Sequence, residues 1–262
     1  MKKLIFVLFA AALLLMIFTG CGKQGASAES DAEYVKAKGT LIVGVTVFEP
    51  MDYQNESGEW VGFDAELAKA FAESLGVKAE FQIIDWNNKV FELNGKTIDV
   101  VWNGMTLTDD VKSSMECSNA YCNNAQVVVL PADKADLYPT IESMQDLTFA
   151  VELGSAGMEQ AEALGLNYIE VEDQATALLE ISAGTADAAI IDSLMAGAMI
   201  GGGTSYSGLA CTLRLNSEEY GVGFRKGSDL AALLNDFFKA QAESGALASL
   251  AETYGVQEAL IA

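Results

Sequence analysis

The chain has 262 residues, with 37 acidic side chains against 15 basic ones, a formal charge of −22 and no histidine. That balance excludes a protein that tracks nucleic-acid phosphates, which needs a basic surface, and the missing histidine removes His-based catalytic triads and the commonest transition-metal ligand. The length suffices for one large domain or two modest lobes.

Residues 1–20 start with Lys2 and Lys3, run without a break through apolar residues from Leu4 to Phe18, and end in Thr19-Gly20 before Cys21. This is the layout of a bacterial signal peptide cut before a cysteine, so Cys21 is expected to carry lipid and to anchor the chain at the extracytoplasmic face of the cell membrane. Residues 21–33 are small, polar and aperiodic, the composition of a flexible tether, and folded sequence is expected from Tyr34. No second apolar run of spanning length follows, so the body is expected to be soluble.

Next comes an alternation of strand and helix signals. "TLIVGVTV" (40–47) reads as a strand, "FDAELAKAFAESLG" (63–76) as an amphipathic helix stopped by Gly76, "KAEFQIID" (78–85) as a strand, "KVFELNG" (89–95) as a short helix and "TIDVVW" (97–102) as a strand. The last runs into Asn103-Gly104-Met105-Thr106-Leu107-Thr108, read as a turn, with a helix starting near Asp109. The pattern repeats: "NAQVVVL" (124–130), "TFAVELG" (148–154), "NYIEV" (167–171) and "DAAIID" (187–192) are strands, with helices at 155–164 and 174–184. "GLACTLRL" (208–215), a strand at 220–227 and two closing helical stretches complete the chain. These alternations predict an α/β fold of two lobes with a cleft between them. Lobe 1 is expected at 34–123 and 213–262, and lobe 2 at 124–212. Cys117, Cys122 and Cys211 are read as buried free thiols, with a bridge from Cys211 to either of the others as the alternative.

Ligands in such sheets sit where loops leave the carboxyl ends of strands. Gly104 lets backbone approach a ligand, Thr106 and Thr108 supply hydroxyls, and the helix from Asp109 directs free N–H groups into the turn. Ser155 opens another helix behind Gly154, and Asp192 ends a strand with a charge suited to an amine.

The stretches at 48–76, "LNGKTIDVVWNGMTLTDD" (93–110), "CSNAY" (117–121), "ELGSAG" (152–157), "ISAGTADAAIID" (181–192) and "YGVGFRKGSDL" (220–230) resemble the polar-amino-acid solute-binding proteins of bacterial ABC importers. The likeness covers nearly the whole chain after the tether. It implies the two-lobed type II periplasmic-binding-protein fold, a free amino acid or related small amine as ligand, delivery to an importer permease, and a monomer without cofactor, bound metal or catalytic residues. It places Phe48 and Trp86 on the walls of the ligand site, Asn103 and Gly104 at the ligand's amine, and Thr106, Ser155 and the Ala156 amide at its carboxylate. Asp192 falls at the α-ammonium. Dehydratase-like enzymes of similar fold need a placed general acid, for which Glu152 or Glu49 would have to serve; a ligand-sensing receptor component would need no different cleft.

The sequence departs from the pattern at Val111, where the family usually carries an arginine that grips the ligand carboxylate with two prongs. The chain has only Arg214 and Arg225, neither an obvious substitute, and Lys112 points about 100° away on a helix. Three answers stay open: a carboxylate held by helix N-termini and hydroxyls alone, an amine ligand without a carboxylate, or a cation supplied from elsewhere in the fold or by a partner.

Overall fold

The computed structural model describes residues 30–261. The expected leader, the lipid-bearing Cys21 and the first part of the tether lie outside the described residues. The end of the tether is corrected: Ser30, the first described residue, already belongs to folded structure, its hydroxyl capping helix α1 (Asp31–Lys38) by accepting the Glu33 N–H at 3.1 Å. Buried Asp31 pairs with Arg225 at 3.0 Å, so the last polar residues before Tyr34 belong to the body.

After α1 come β1 (Thr40–Val45), the hairpin β2 (Tyr53–Gln54) and β3 (Trp60–Val61), α2 (Phe63–Ser74), β4 (Lys78–Ile83), a 3-10 turn at Trp86–Asn88 leading into α3 (Lys89–Asn94), β5 (Val100–Thr106), α4 (Asp109–Ser114), β6 (Glu116–Cys117) and β7 (Cys122–Asn124). Then follow β8 (Gln126–Pro131), β9 (Thr148–Glu152), α5 (Ala156–Ala163), β10 (Asn167–Val171), α6 (Gln174–Ala183), β11 (Ala188–Asp192), α7 (Ser193–Met199) and β12 (Leu209–Arg214). The chain closes with β13 (Glu218–Phe224), α8 (Leu230–Ser244) and α9 (Ala246–Tyr254). No described helix is long and apolar enough to cross a membrane.

The strands form two main sheets, one in each lobe of a two-lobed α/β fold. The first has the order β4-β1-β5-β13-β6 with β7 beside β13, and the second β10-β9-β11-β8-β12. In each, the strands joined through helices run parallel (β4, β1, β5; β10, β9, β11), while β13 in the first and β8 in the second run antiparallel to their neighbours. Amphipathic α2 buries Phe63, Leu67 and Phe71, at a spacing of one helical face, toward the first sheet.

Two short crossings connect the sheets, Ala125 between β7 and β8 and residues 215–217 between β12 and β13. Asn124 therefore lies in the first sheet, while β12 keeps the second sheet going through Arg214, paired with Val127. Both positions fall just across the boundaries expected from sequence.

Another correction concerns the stretch read as a turn. Asn103 to Thr106 remain in β5, because β13 pairs alongside with Gly221 opposite Met105 and Tyr220 opposite Thr106. The chain leaves the sheet only at Leu107. The three described cysteines are free, but only Cys122 is buried; Cys117 is half-buried and Cys211 exposed.

Candidate functional site

The carboxyl ends of β5, β9 and β11, together with Thr46 just after β1, converge on a cavity of about 230 Å³ between the lobes. All eight residues singled out from sequence line it: Phe48, Trp86, Asn103, Gly104 and Thr106 from the first lobe, and Ser155, Ala156 and Asp192 from the second. Val111 lines it too. Lys89 and Gln174, which sequence reasoning did not single out, and Glu152, named there only as an acid that a dehydratase-like enzyme would need, complete much of the wall.

Gly104 has φ +55°, and a Cβ there would meet the Phe48 ring at 2.5 Å. Glycine is what lets that ring come so close to the strand end, where it stands at 86° to the Tyr220 ring. The polar atoms of the Asn103 side chain are bonded within the protein. Its oxygen accepts the Thr46 N–H and hydroxyl at 2.9 and 2.8 Å, and its amide donates to the Thr46 carbonyl at 3.0 Å and to Asp52 at 2.8 Å. What Asn103 has left to offer the cavity is main chain. The Thr106 hydroxyl likewise donates to Glu218 at 2.9 Å.

Behind this strand end sit two buried carboxyls. Asp64 accepts the Gly104 N–H and the Tyr121 hydroxyl, both at 2.7 Å, and Asp52 accepts from Asn103; in each, Oδ1 has no partner. Burial pushes Asp64 up to about 6, and burial followed by the Asp64 charge holds Asp52 well above the usual carboxylate range. A carboxyl whose pKa is higher folded than unfolded binds more protons in the native state, so its contribution to stability is complete below about pH 4 and is lost as pH rises through the folded value. We expect stability to fall as pH rises from about 4 to beyond 6, by up to about 1.4 kcal/mol per pH unit for each proton lost. Asp52→Asn should flatten part of that slope in chemical denaturation; an unaltered slope would mean that these carboxyls do not govern it.

Asp192 is 4 % exposed and closes β11. Its Oδ1 accepts from Asn124, from Gln126 at 3.0 Å and from the Tyr220 hydroxyl at 2.7 Å, and its Oδ2 accepts from Gln174. These four donors, from Asn124, Gln126, Tyr220 and Gln174, are all neutral. Burial, reinforced by the charge of Glu218, pushes Asp192 up to about 7. Glu218 shares the Asn124 and Gln126 amides with Asp192, and this polar seam joins the second lobe to β13 at the crossing.

Ser155 caps α5 by accepting the Met158 N–H at 3.1 Å, which leaves its own proton for another acceptor. The missing arginine is not replaced in kind. Arg225 is buried against Asp31 and Asp99, and Arg214 bonds the carbonyls of Asn216 and Asn124. Val111 packs with Ile84, Trp86, Leu93 and Met115, and Lys112 is exposed. The basic residue on the wall is Lys89, whose ammonium lies 4.9 Å from the centre of the Trp86 ring and donates to the carbonyls of Trp86 at 3.1 Å and Gly154 at 3.0 Å.

The Lys89–Gly154 bond ties the lobes together in a closed arrangement. Gly154 has φ +72°, and a Cβ on it would lie 2.9 Å from the Cα of Asn87 in the opposite lobe. Gly154→Ala is expected to wedge the lobes apart, giving a larger radius of gyration by solution scattering and a ligand affinity lower by roughly tenfold, or about 1.4 kcal/mol. Wild-type scattering and affinity in the mutant would show that this contact does not govern closure.

A two-lobed α/β body with a cavity enclosed between strand ends defines a binding protein of the type II periplasmic class. Residues 41–257 match the family model described as bacterial extracellular solute-binding proteins, family 3, and the chain belongs to that family. It is 32% identical over 260 residues to the arginine-binding extracellular protein ArtP of Bacillus subtilis (strain 168), covering 95% of this chain and 96% of the relative. Among solved structures, a mutant of ArgBP from T. maritima superposes with a TM-score of 0.79 at 31% identity, over 86% of this chain and 98% of that one. An ancestral amino acid-binding protein described as a precursor of cyclohexadienyl dehydratase superposes with a TM-score of 0.78 at 29% identity, over 86% of this chain and 99% of that one.

Proposed function

We propose that the chain is a lipoprotein, anchored through Cys21 at the extracytoplasmic face of the membrane, that binds an amino acid or related small amine in the cavity between its lobes and delivers it as a monomer to an ABC importer. The observation that carries this is Asp192: a carboxyl at the cavity wall, buried and bonded to neutral donors, is completed by a ligand ammonium. Arginine in the name of ArtP, and the description of the ancestral relative as an amino acid-binding protein, support the same ligand class. Of the three answers to the missing arginine, the position of Lys89 favours a cation supplied by the fold: its ammonium bonds the Gly154 carbonyl next to Ser155 and Ala156, so these three groups together would receive a ligand carboxylate. Lobe 1 would comprise residues 30–124 and the segment from 218 onward, and lobe 2 residues 126–214.

A thermal-shift panel of amino acids, amines and carboxylic acids tests the assignment, since a ligand at 100 times its dissociation constant adds about 2.7 kcal/mol of stability. Failure of every amine-bearing compound to raise the melting temperature would overturn it. We propose further that no chemistry follows binding. Appearance of a product on incubation with any stabilising ligand would assign the cavity to an enzyme instead.

A further inference from the structure

We propose that Glu218 is a positioning residue that couples closure of the lobes to occupation of Asp192: it pins the two crossings together, and its charge opposes closing while the ammonium seat is empty. The inference rests on the reading of Asp192 as that seat and concerns how the seat governs closure.

Glu218 opens β13, directly after the second crossing. Its Oε1 accepts from the Thr106 hydroxyl at 2.9 Å, the Asn124 amide at 2.7 Å and the Gln126 amide at 2.8 Å, and its Oε2 accepts from Asn216 at 2.9 Å. Asn124 and Gln126 flank Ala125, the first crossing, and Asn216 lies in the second, where its own oxygen accepts the Gln126 N–H at 2.7 Å. One carboxyl therefore gathers donors from the end of β5 and from both crossings. A neutral amide oxygen can also accept such bonds, so the pin alone does not call for a charge.

The charge acquires its role through Asp192. Gln126 Nε2 lies 2.8 Å from Glu218 Oε1 and 3.0 Å from Asp192 Oδ1, and the Asn124 amide donates to the same two oxygens. Those oxygens are thus no farther apart than the two distances together, with Glu218 in the first sheet and Asp192 in the second. Like charges so close around a buried carboxyl repel, and a rotation about the crossings that parts the lobes relieves the repulsion. In the closed arrangement a ligand ammonium on Asp192 supplies the opposite charge. A proton relieves the repulsion as well: burial and then Glu218 push Asp192 up to about 7, so closing without ligand takes up a proton and is favoured at low pH. The other titratable groups facing the pair are Tyr220 on β13, Glu152 on β9 and Glu159 on α5. Glu152 shares the second sheet with Asp192, so closure does not bring those two together. Arg214 on β12 bonds the Asn216 and Asn124 carbonyls rather than either carboxyl.

Solution scattering on the ligand-free folded body at pH 8 tests this with two variants. Glu218→Gln keeps an oxygen for the three Oε1 donors and loses the charge; Glu218→Asp keeps the charge and shortens the reach. The radius of gyration of Glu218→Gln is expected to shift at least halfway from the ligand-free wild-type value toward that of the closed arrangement, while Glu218→Asp stays at the wild-type value or above. Lowering the pH from 8 to 6 should compact the ligand-free wild type more than Glu218→Gln, and saturating L-arginine, used as an ammonium-bearing probe, should close the wild type. A ligand-free Glu218→Gln as open as the wild type, or equal compaction in both variants, would make Glu218 a structural pin and overturn the inference. So would a ligand-free wild type whose radius does not change between pH 8 and 6, a readout that needs no variant, or L-arginine bound without compaction. If neither L-arginine nor any amine in the panel binds the wild type, the reading of Asp192 as an ammonium seat fails, an outcome distinct from the ligand-free comparison.

Discussion

Asp192→Asn is expected to weaken every ammonium ligand by roughly 1.5–3 kcal/mol, the worth of a hydrogen bond to a charged group, while leaving the fold at least as stable above pH 7. The two halves of this expectation come from the same environment. Three donors converge on Oδ1, and an asparagine oxygen can keep accepting from them, so the shape survives. The charge does not, and with it goes the attraction for an ammonium. The folded Asp192 carboxyl is pushed up to about 7 by burial and by Glu218, so the wild type loses stability as pH rises from about 4 through 7, and the neutral amide escapes that loss. The local cost lies at Oδ2, where an asparagine NH2 would face the Gln174 amide that now donates there. Calorimetry and thermal melts at pH 8 read the two effects separately. Unchanged affinity across ammonium ligands would remove Asp192 from the site, and a collapse of the melting temperature would make its role structural.

Periodicity revealed most of the fold because both lobes are built from short apolar runs separated by amphipathic helices. β10, at residues 167–171, falls where the alternation puts it. The errors have physical causes. β5 runs on to Thr106 because an antiparallel partner arrives from residues 218–224, more than a hundred positions away, and no local pattern announces that pairing. α1 starts inside a polar stretch because Asp31 finds Arg225 across the chain.

At the site, all the residues chosen from the sequence reach the cavity, yet Asn103 and Thr106 spend their side chains on the protein. A motif reports that a polar group stands near a ligand and not which way it bonds. Lys89 and Gln174 were harder to find, and Glu152 was named only as an enzyme's acid, although each left a signal. Lys89 follows Trp86 by three residues in helical geometry, which puts the two on one side. Glu152 is a charge closing a strand whose other inner residues are buried, and such a group needs a partner. Gln174 begins α6, where its amide both donates to Asp192 and accepts that residue's N–H.

Val111→Arg bears most directly on the missing clamp. Val111 is 8 % exposed, packed against the apolar cluster around Trp86 and Met115, and still part of the cavity wall. An arginine at this position has to leave the cluster and extend into the cavity, where Asp110, Glu152, Glu159 and Asp192 offset its charge. We expect a stability cost of about 1–3 kcal/mol from lost packing and crowding. In exchange, the guanidinium would add a two-pronged contact to a ligand carboxylate, so the affinity for norleucine relative to pentylamine, the same chain without the carboxyl group, should rise by up to about 2 kcal/mol after the side chain is ordered. The sign of this change carries the information. A ligand lacking a carboxylate meets only a like charge and binds less well, so norleucine should gain while pentylamine loses. If both lose equally in a folded mutant, residue 111 is plain wall and the carboxylate end of the cavity lies elsewhere. If neither changes, Lys89 already satisfies the carboxylate and the added arginine stays in solvent.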